Sequence, residues 1–101
     1  MRKETSDLKN LQEKRKTIDR LDQHLMILLN QRLRVALQIG KMKKRIGKKI
    51  YDPIREKEIL ARLQVKNRGP LTNQDVNKIF RMIMKICRES QTRSQSRRGT
   101  G

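Results

Sequence analysis

The sequence predicts an all-α protein built as a three-helix protomer, with a first helix long enough to need a second copy of the chain. Three observations carry this. Apolar residues recur with a heptad through the N-terminal part of the chain, helix stop and start signals divide the remainder in two, and no segment alternates apolar and polar residues as a strand would. At 101 residues, 37% charged and 34% apolar, the chain is one small domain whose own core is slight. Lys and Arg number 27 against 10 Asp and Glu, a formal charge of +17, and self-repulsion weakens a compact monomer further.

From about Leu8 to Ile46 there is no proline, and the one glycine is Gly40. Leu11, Ile18, Leu25 and Ile39 fall on one heptad line, and Leu21, Leu28, Val35 and Met42 on a second. Leu29 and Ala36 widen the stripe. This pattern predicts a single amphipathic helix, roughly 58 Å long at the standard rise. A compact chain of this size has a radius of gyration of about 13 Å. The helix therefore overhangs its own domain, and its seam calls for a partner helix, most simply in a two-fold dimer.

Gly47 suits the C′ position that ends this helix, and Lys48 to Tyr51 form a loop. Asp52-Pro53 reads as an N-cap followed by proline at the first helical position. It opens a second helix from about Pro53 to Lys66, with Ile54, Ile59, Leu60 and Leu63 inward. Asn67-Arg68-Gly69-Pro70 breaks the chain. Thr72, with Asp75 three residues on, resembles a capping box and starts a third helix whose apolar face is Val76, Ile79, Phe80, Ile83 and Cys87. This helix is expected to fade near Gln91. The folded domain then covers residues 1–91, and residues 92–101 form a basic, disordered tail.

Composition excludes several classes. The length and the lack of a glycine-rich loop rule out a Rossmann domain or a P-loop NTPase. One cysteine precludes a disulfide scaffold, and one cysteine with one histidine leaves no metal-ligand cluster. His24 is read as an ordinary helix residue, and neither metal nor cofactor is expected. The start is polar with no hydrophobic signal segment behind it. The longest apolar run, Leu25 to Leu29, is too short to span a bilayer. A cytoplasmic protein without a membrane anchor is the expectation. The positive charge implies an anionic partner and leaves nucleic acid, an acidic membrane and a small polyanion open.

Most of the cations read as solvated helix surface, but Arg32 does not. It stands on the line of Leu11, Ile18, Leu25 and Ile39, where a buried charge without compensation costs several kcal/mol. Either an acidic neighbour, water or a bound anion compensates it, or it is a polar residue that sets helix register. Lys43, three turns further on, projects to nearly the same side, roughly 16 Å along the axis. Two long side chains leaning together leave a gap suited to a small molecule with two anionic groups. Arg15 lies about 25 Å before Arg32, too far to join that gap from the same chain, but an antiparallel partner could supply it. Asp52, Arg55 and Glu56 cluster at the start of the second helix, either as a site or as a cap with surface charges. Cys87 and Gln91 share one side of the third helix, where Cys87 also fits as a small buried hydrophobe.

Taken in order, these stretches resemble the all-helical (AroQ-class) chorismate mutases. The matching segments are Arg15-Lys16-Thr17-Ile18-Asp19-Arg20-Leu21-Asp22, Leu28-Leu29-Asn30-Gln31-Arg32, Ile39-Gly40-Lys41-Met42-Lys43, Tyr51-Asp52-Pro53-Ile54-Arg55-Glu56, and Ile79-Phe80-Arg81 through Cys87 to Gln91. The resemblance covers about residues 8 to 91. It implies an intertwined homodimer with two pockets, in which chorismate becomes prephenate by a [3,3]-sigmatropic shift on the way to phenylalanine and tyrosine.

The resemblance also implies site roles. Arg15 would reach across the dimer to one substrate carboxylate, and Arg32 would bind a carboxylate from its own chain. Lys43 would contact the ether oxygen and a carboxylate, and Gln91 would donate to the ether oxygen. Asp52 and Glu56 would hold the ring hydroxyl side, and Arg55 would add positive field. Arg32, Lys43, Glu56 and Gln91 form the implied catalytic set. Cys87 replaces the serine of many relatives, and a thiol is the weaker donor.

The chemistry agrees with the residue types. A pericyclic rearrangement needs no nucleophile, proton relay or metal. It needs a flexible dianion held bent and donors at the oxygen that gains charge as the C–O bond breaks. Arginine forks suit carboxylates, and a lysine suits a point of developing charge. Three alternatives compete. An isochorismate-pyruvate lyase uses the same fold. A catalytically impaired relative is disfavoured by the intact set of charges. A basic helical dimer binding nucleic acid could use Lys41, Lys43, Lys44, Arg45, Lys48 and Lys49 on phosphates. One Tyr, one Phe and no Trp give no stacking platform, though, so only nonspecific nucleic-acid binding is expected.

Overall fold

The structure is a computed structural model that describes the backbone of residues 2–100 and the side chains of residues 3–96. It contains three helices, α1 (Arg2–Arg45), α2 (Pro53–Lys66) and α3 (Asn73–Thr100), and no strand among the described residues. The chain divides into two units, one ending at Arg32 and one beginning at Leu33.

The first unit is a single stretch of α1. It begins at Arg2, earlier than the apolar pattern requires, and carries Glu4 in its first turn, where a carboxylate opposes the helix dipole. Two of its side-chain bonds are local: Thr17 Oγ1 donates to the Glu13 carbonyl at 3.2 Å, and Arg20 donates to Thr17 Oγ1 at 3.2 Å. Both heptad lines are solvated within the protomer. Ile18, Leu21, Leu25 and Leu28 are all more than half exposed.

The second unit holds the rest of α1 with α2 and α3. Local sequence fixes each junction. Gly47 takes φ +72°. Lys48 N donates to Lys43 O at 2.8 Å and Gly47 N to Lys44 O at 3.3 Å, the paired bonds of a Schellman cap. Asp52 Oδ1 accepts from Arg55 N at 3.1 Å and caps α2, with Pro53 next. Asn67 organises the break: Gly69 N donates to its Oδ1 at 3.0 Å, and its Nδ2 donates to Leu71 O at 2.7 Å. Thr72 and Asp75 make a reciprocal capping box. Asp75 N donates to Thr72 Oγ1 at 3.0 Å, and Thr72 N to Asp75 Oδ2 at 3.3 Å.

α2 and α3 pack antiparallel. Gln64 Nε2 near the end of α2 donates to Asn77 Oδ1 near the start of α3 at 2.7 Å, while Glu56 in the first turn of α2 meets Arg88 midway along α3. The buried line of α3 is Val76, Met84, Cys87 and Gln91, with Ala36 buried on α1. Two expected inward positions differ: Ile54 is 72% exposed and Ile79 is 44% exposed. The α2–α3 contact takes Ile59, Leu60 and Leu63 partly inside and leaves the first turn of α2 open at Ile54.

The third helix, expected to fade near Gln91, runs further. α3 continues to Thr100, and Gly101 lies outside the described residues. The polar composition hid an anchor, because Gln95 Nε2 donates to Gly40 O at 3.1 Å. Thr92 Oγ1 bonds Arg88 O at 3.0 Å and Arg93 bonds Ser90 Oγ at 3.0 Å. No proline or glycine interrupts the run before Gly99.

Gly40 permits the approach of α1 and α3. A Cβ there would stand 3.0 Å from Gln91 Cγ and 3.3 Å from Gln91 Cβ. Alanine is the better helix former by about 1 kcal/mol, yet it would push the buried Gln91 aside at an overpacking cost of about 1–3 kcal/mol. Gly40→Ala is therefore expected to lower Tm in a circular-dichroism melt. A raised Tm would mean that the two helices have room to spare.

Candidate active site

Ala36, Gly40 and Lys43 recur on α1 at helical spacing, and the bonds to Gln91 and Gln95 turn that face toward α3. Gln91 is buried and donates from Nε2 to the Ala36 carbonyl at 2.6 Å. An amide nitrogen carries two N–H donors, so a second one remains on Nε2. Cys87 is buried one turn before it. Lys43 is half-buried, and its Nζ donates to the Ile50 carbonyl at 2.9 Å. That bond ties the last turn of α1 to the loop that delivers Asp52.

Asp52 is spent partly on capping. Arg55 is exposed, and its Nη1 lies 3.5 Å from Glu58 Oε2, an ion pair of the kind that contributes little in water. Glu56 is half-buried, with Oε2 at 3.3 Å from Arg88 Nε. The guanidinium carbon of Arg88 stands 4.7 Å above the Tyr51 ring centroid, within cation–π range. A groove of about 560 Å³ beside α2 and α3 is lined by Tyr51, Glu56, Leu60, Met84, Lys85 and Arg88 among others. Its lining includes Glu56 but not Lys43, Cys87 or Gln91.

Lys43, Asp52, Arg55, Glu56, Cys87 and Gln91 all lie in the second unit, but that groove does not take all six. Arg15 and Arg32 belong to the first unit, where Arg15 is exposed and Arg32 half-buried. Arg88, Tyr51 and Gln95 escaped the sequence reading. Gly40 was the legible signal for the close approach, since an isolated glycine inside a helical run marks a packing constraint. For Arg88 the only signal was its place at the edge of the apolar face of α3, four residues after Met84 and next to Cys87. Among the described residues no group of three or more His, Cys, Asp or Glu is placed to hold a metal. No described helix is long and apolar enough to cross a membrane.

An all-α chain that seats a buried glutamine of α3 against α1 defines a class that known proteins make specific. Residues 14–92 match the chorismate mutase type II family model, and the chain belongs to that family. It is 38% identical over 73 residues to the bifunctional chorismate mutase/prephenate dehydratase of Neisseria gonorrhoeae, covering 72% of this chain and 20% of that protein. The chain therefore spans about a fifth of such curated relatives. The chorismate mutase (form II) of Thermus thermophilus superposes with a TM-score of 0.82 at 34% identity, over 83% of this chain and 96% of that one. The Helicobacter pylori chorismate mutase, solved in complex with prephenate, gives 0.80 at 35% identity, over 85% of this chain and 93% of that one. The resemblance read from the sequence holds, and the all-α class with it.

Proposed function

We propose that the chain converts chorismate to prephenate as an intertwined homodimer, each pocket holding one substrate dianion between two subunits. The observation that carries this is the seat of Gln91. A buried neutral donor lies against the turn of α1 that leads to Lys43, a placement that supports an amide and an ammonium serving one oxygen. The family match spans every site position from Arg15 to Gln91, and the solvated seam of α1 suits a partner helix.

In this reading Arg32 and the partner subunit's Arg15 fork the two carboxylates and hold the enolpyruvyl arm over the ring. Lys43 and Gln91 donate to the ether oxygen as its bond to the ring breaks and the new C–C bond forms. Asp52 and Glu56 hold the ring hydroxyl, and Arg55 adds field from outside. Cys87 offers a thiol, a weak donor. No proton is transferred, and the residues named supply none. A single cysteine, buried in the helix packing, fits a reducing, cytoplasmic compartment.

The test is product formation. Purified protein given chorismate should yield prephenate, whereas pyruvate release from isochorismate would mark a lyase. The excess positive charge adds a quantitative expectation, because a positive field speeds the capture of a dianion and salt screens it. Between low and physiological ionic strength kcat/KM should fall several-fold while kcat changes little. A kcat/KM insensitive to salt would remove the surface cations from substrate capture.

A further inference from the structure

Arg88 has no part in the roles described so far, yet it bridges two elements of the site. From α3 its guanidinium carbon stands 4.7 Å from the ring centroid of Tyr51, the residue before the α2 cap, and its Nε lies 3.3 Å from Glu56 Oε2 in the first turn of α2. The side chains of Arg88 and Glu56 are only 30% and 22% exposed. Arg88 Nε is buried, and its 3.3 Å approach to Glu56 lacks hydrogen-bond alignment. The pair is held by charge and by the Tyr51 stack, not by a directional bond. Lys57, Lys78, Arg81 and Lys85 line the same groove, but Arg88 supplies the contact with Glu56.

We propose that Arg88 is a positioning residue, which stacks on Tyr51 and so fixes the carboxylate of Glu56 for the substrate's ring hydroxyl. This rests on the reading of Glu56 as a substrate contact. A guanidinium suits the task, since its planar face stacks while its edge meets a carboxylate. Lysine at this position would keep the charge and lose most of the stack.

The experiment is a double-mutant cycle on the full chain, with Arg88→Met and Arg88→Lys in the native and Glu56→Gln backgrounds. Chorismate turnover is measured together with the emission of Tyr51, the sole tyrosine in a chain without tryptophan. Arg88→Met should lower kcat/KM about tenfold, mostly through KM, and should alter Tyr51 emission. Arg88→Lys should recover part of the loss. In the Glu56→Gln background Arg88→Met should cost less than about twofold, because the two residues act as a unit. Equal losses in both backgrounds, or unchanged Tyr51 emission, overturn the proposal. If Arg88→Met fails to fold, Arg88→Lys decides by the same comparison. A native chain that folds and forms no prephenate defeats the reading of the activity itself and takes this role of Arg88 with it.

Discussion

Arg32→Ala is expected to lower kcat/KM for chorismate by about two to three orders of magnitude while the helices remain formed. Truncating one partner of a desolvated charge pair costs about 2–5 kcal/mol, or roughly 30- to 4,000-fold at a factor of ten per 1.4 kcal/mol. Arg32 is half-buried on the apolar seam of α1, and the partner helix of the proposed dimer would shield its donors from water. In the proposed pocket it would hold a carboxylate in the ground state as well as in the transition state, so KM should rise along with the loss in kcat. A polar residue kept only to set helix register would behave differently: alanine there would leave turnover intact and change the association of the chain. Steady-state kinetics beside sedimentation separates the two. A change in kcat/KM of less than tenfold would leave Arg32 as a register residue.

The second large effect concerns Gln91. Its Nε2 donates to the Ala36 carbonyl in a buried setting, and Gln91→Glu would put a carboxyl against that carbonyl oxygen. Burial and the facing oxygen both disfavour the ionised form, so the folded pKa rises above the unfolded value of about 4.3. Below that value the acid is protonated in both states, its O–H can replace the amide donor, and stability stays near that of the native chain. As pH rises, the unfolded state loses its proton first. The folded state then binds more protons, so stability falls with pH until the folded group also ionises. At neutral pH the deficit should be on the order of 3 kcal/mol. Melts at acid and neutral pH should therefore show a small gap between variant and native chain widening to a large one.

Catalysis should follow the same proton. A protonated carboxyl has a single O–H, so in the Gln91→Glu variant the ether oxygen of the proposed pocket competes with the Ala36 carbonyl for that proton. The kcat of the variant should lie below the native value even in acid and drop further as pH rises and the proton is lost. The native amide has no proton to lose in this range, and its kcat should stay nearly level from mildly acidic to neutral pH. A steep loss in the native profile would remove Gln91 from its role at the ether oxygen.

Local chemistry made most of the fold legible. Asp52 with Pro53, Gly47, and Thr72 with Asp75 each determine backbone within a few residues, and each forms the cap its sequence indicates. What the sequence hid depends on contacts between distant segments. The composition after Gln91 looks like a solvated tail, and only Gln95 meeting Gly40 shows why α3 continues. The apolar face of α3 contains more candidates than its packing uses, so Met84 is buried and Ile79 is not. Arg88 was one cation among 27, distinguished only by Tyr51 and Glu56 arriving from another element. Of the proposed site, the residue types and spacings were readable as far as a dianion pocket. The bond of Gln91 to Ala36 and that of Lys43 to Ile50 were not, because both acceptors are main-chain carbonyls with no signature in the sequence.

The claim that a pocket draws one arginine from each subunit is tested most directly by mixing two inactive variants. Arg15→Ala and Arg32→Ala are purified separately, combined in equal amounts, and allowed to exchange subunits, with heterodimers counted by native mass spectrometry. Half the dimers are then mixed, and each contains one pocket with both arginines intact, so activity should return to about a quarter of the native value. Full subunit exchange without any recovery of prephenate formation would contradict a shared pocket.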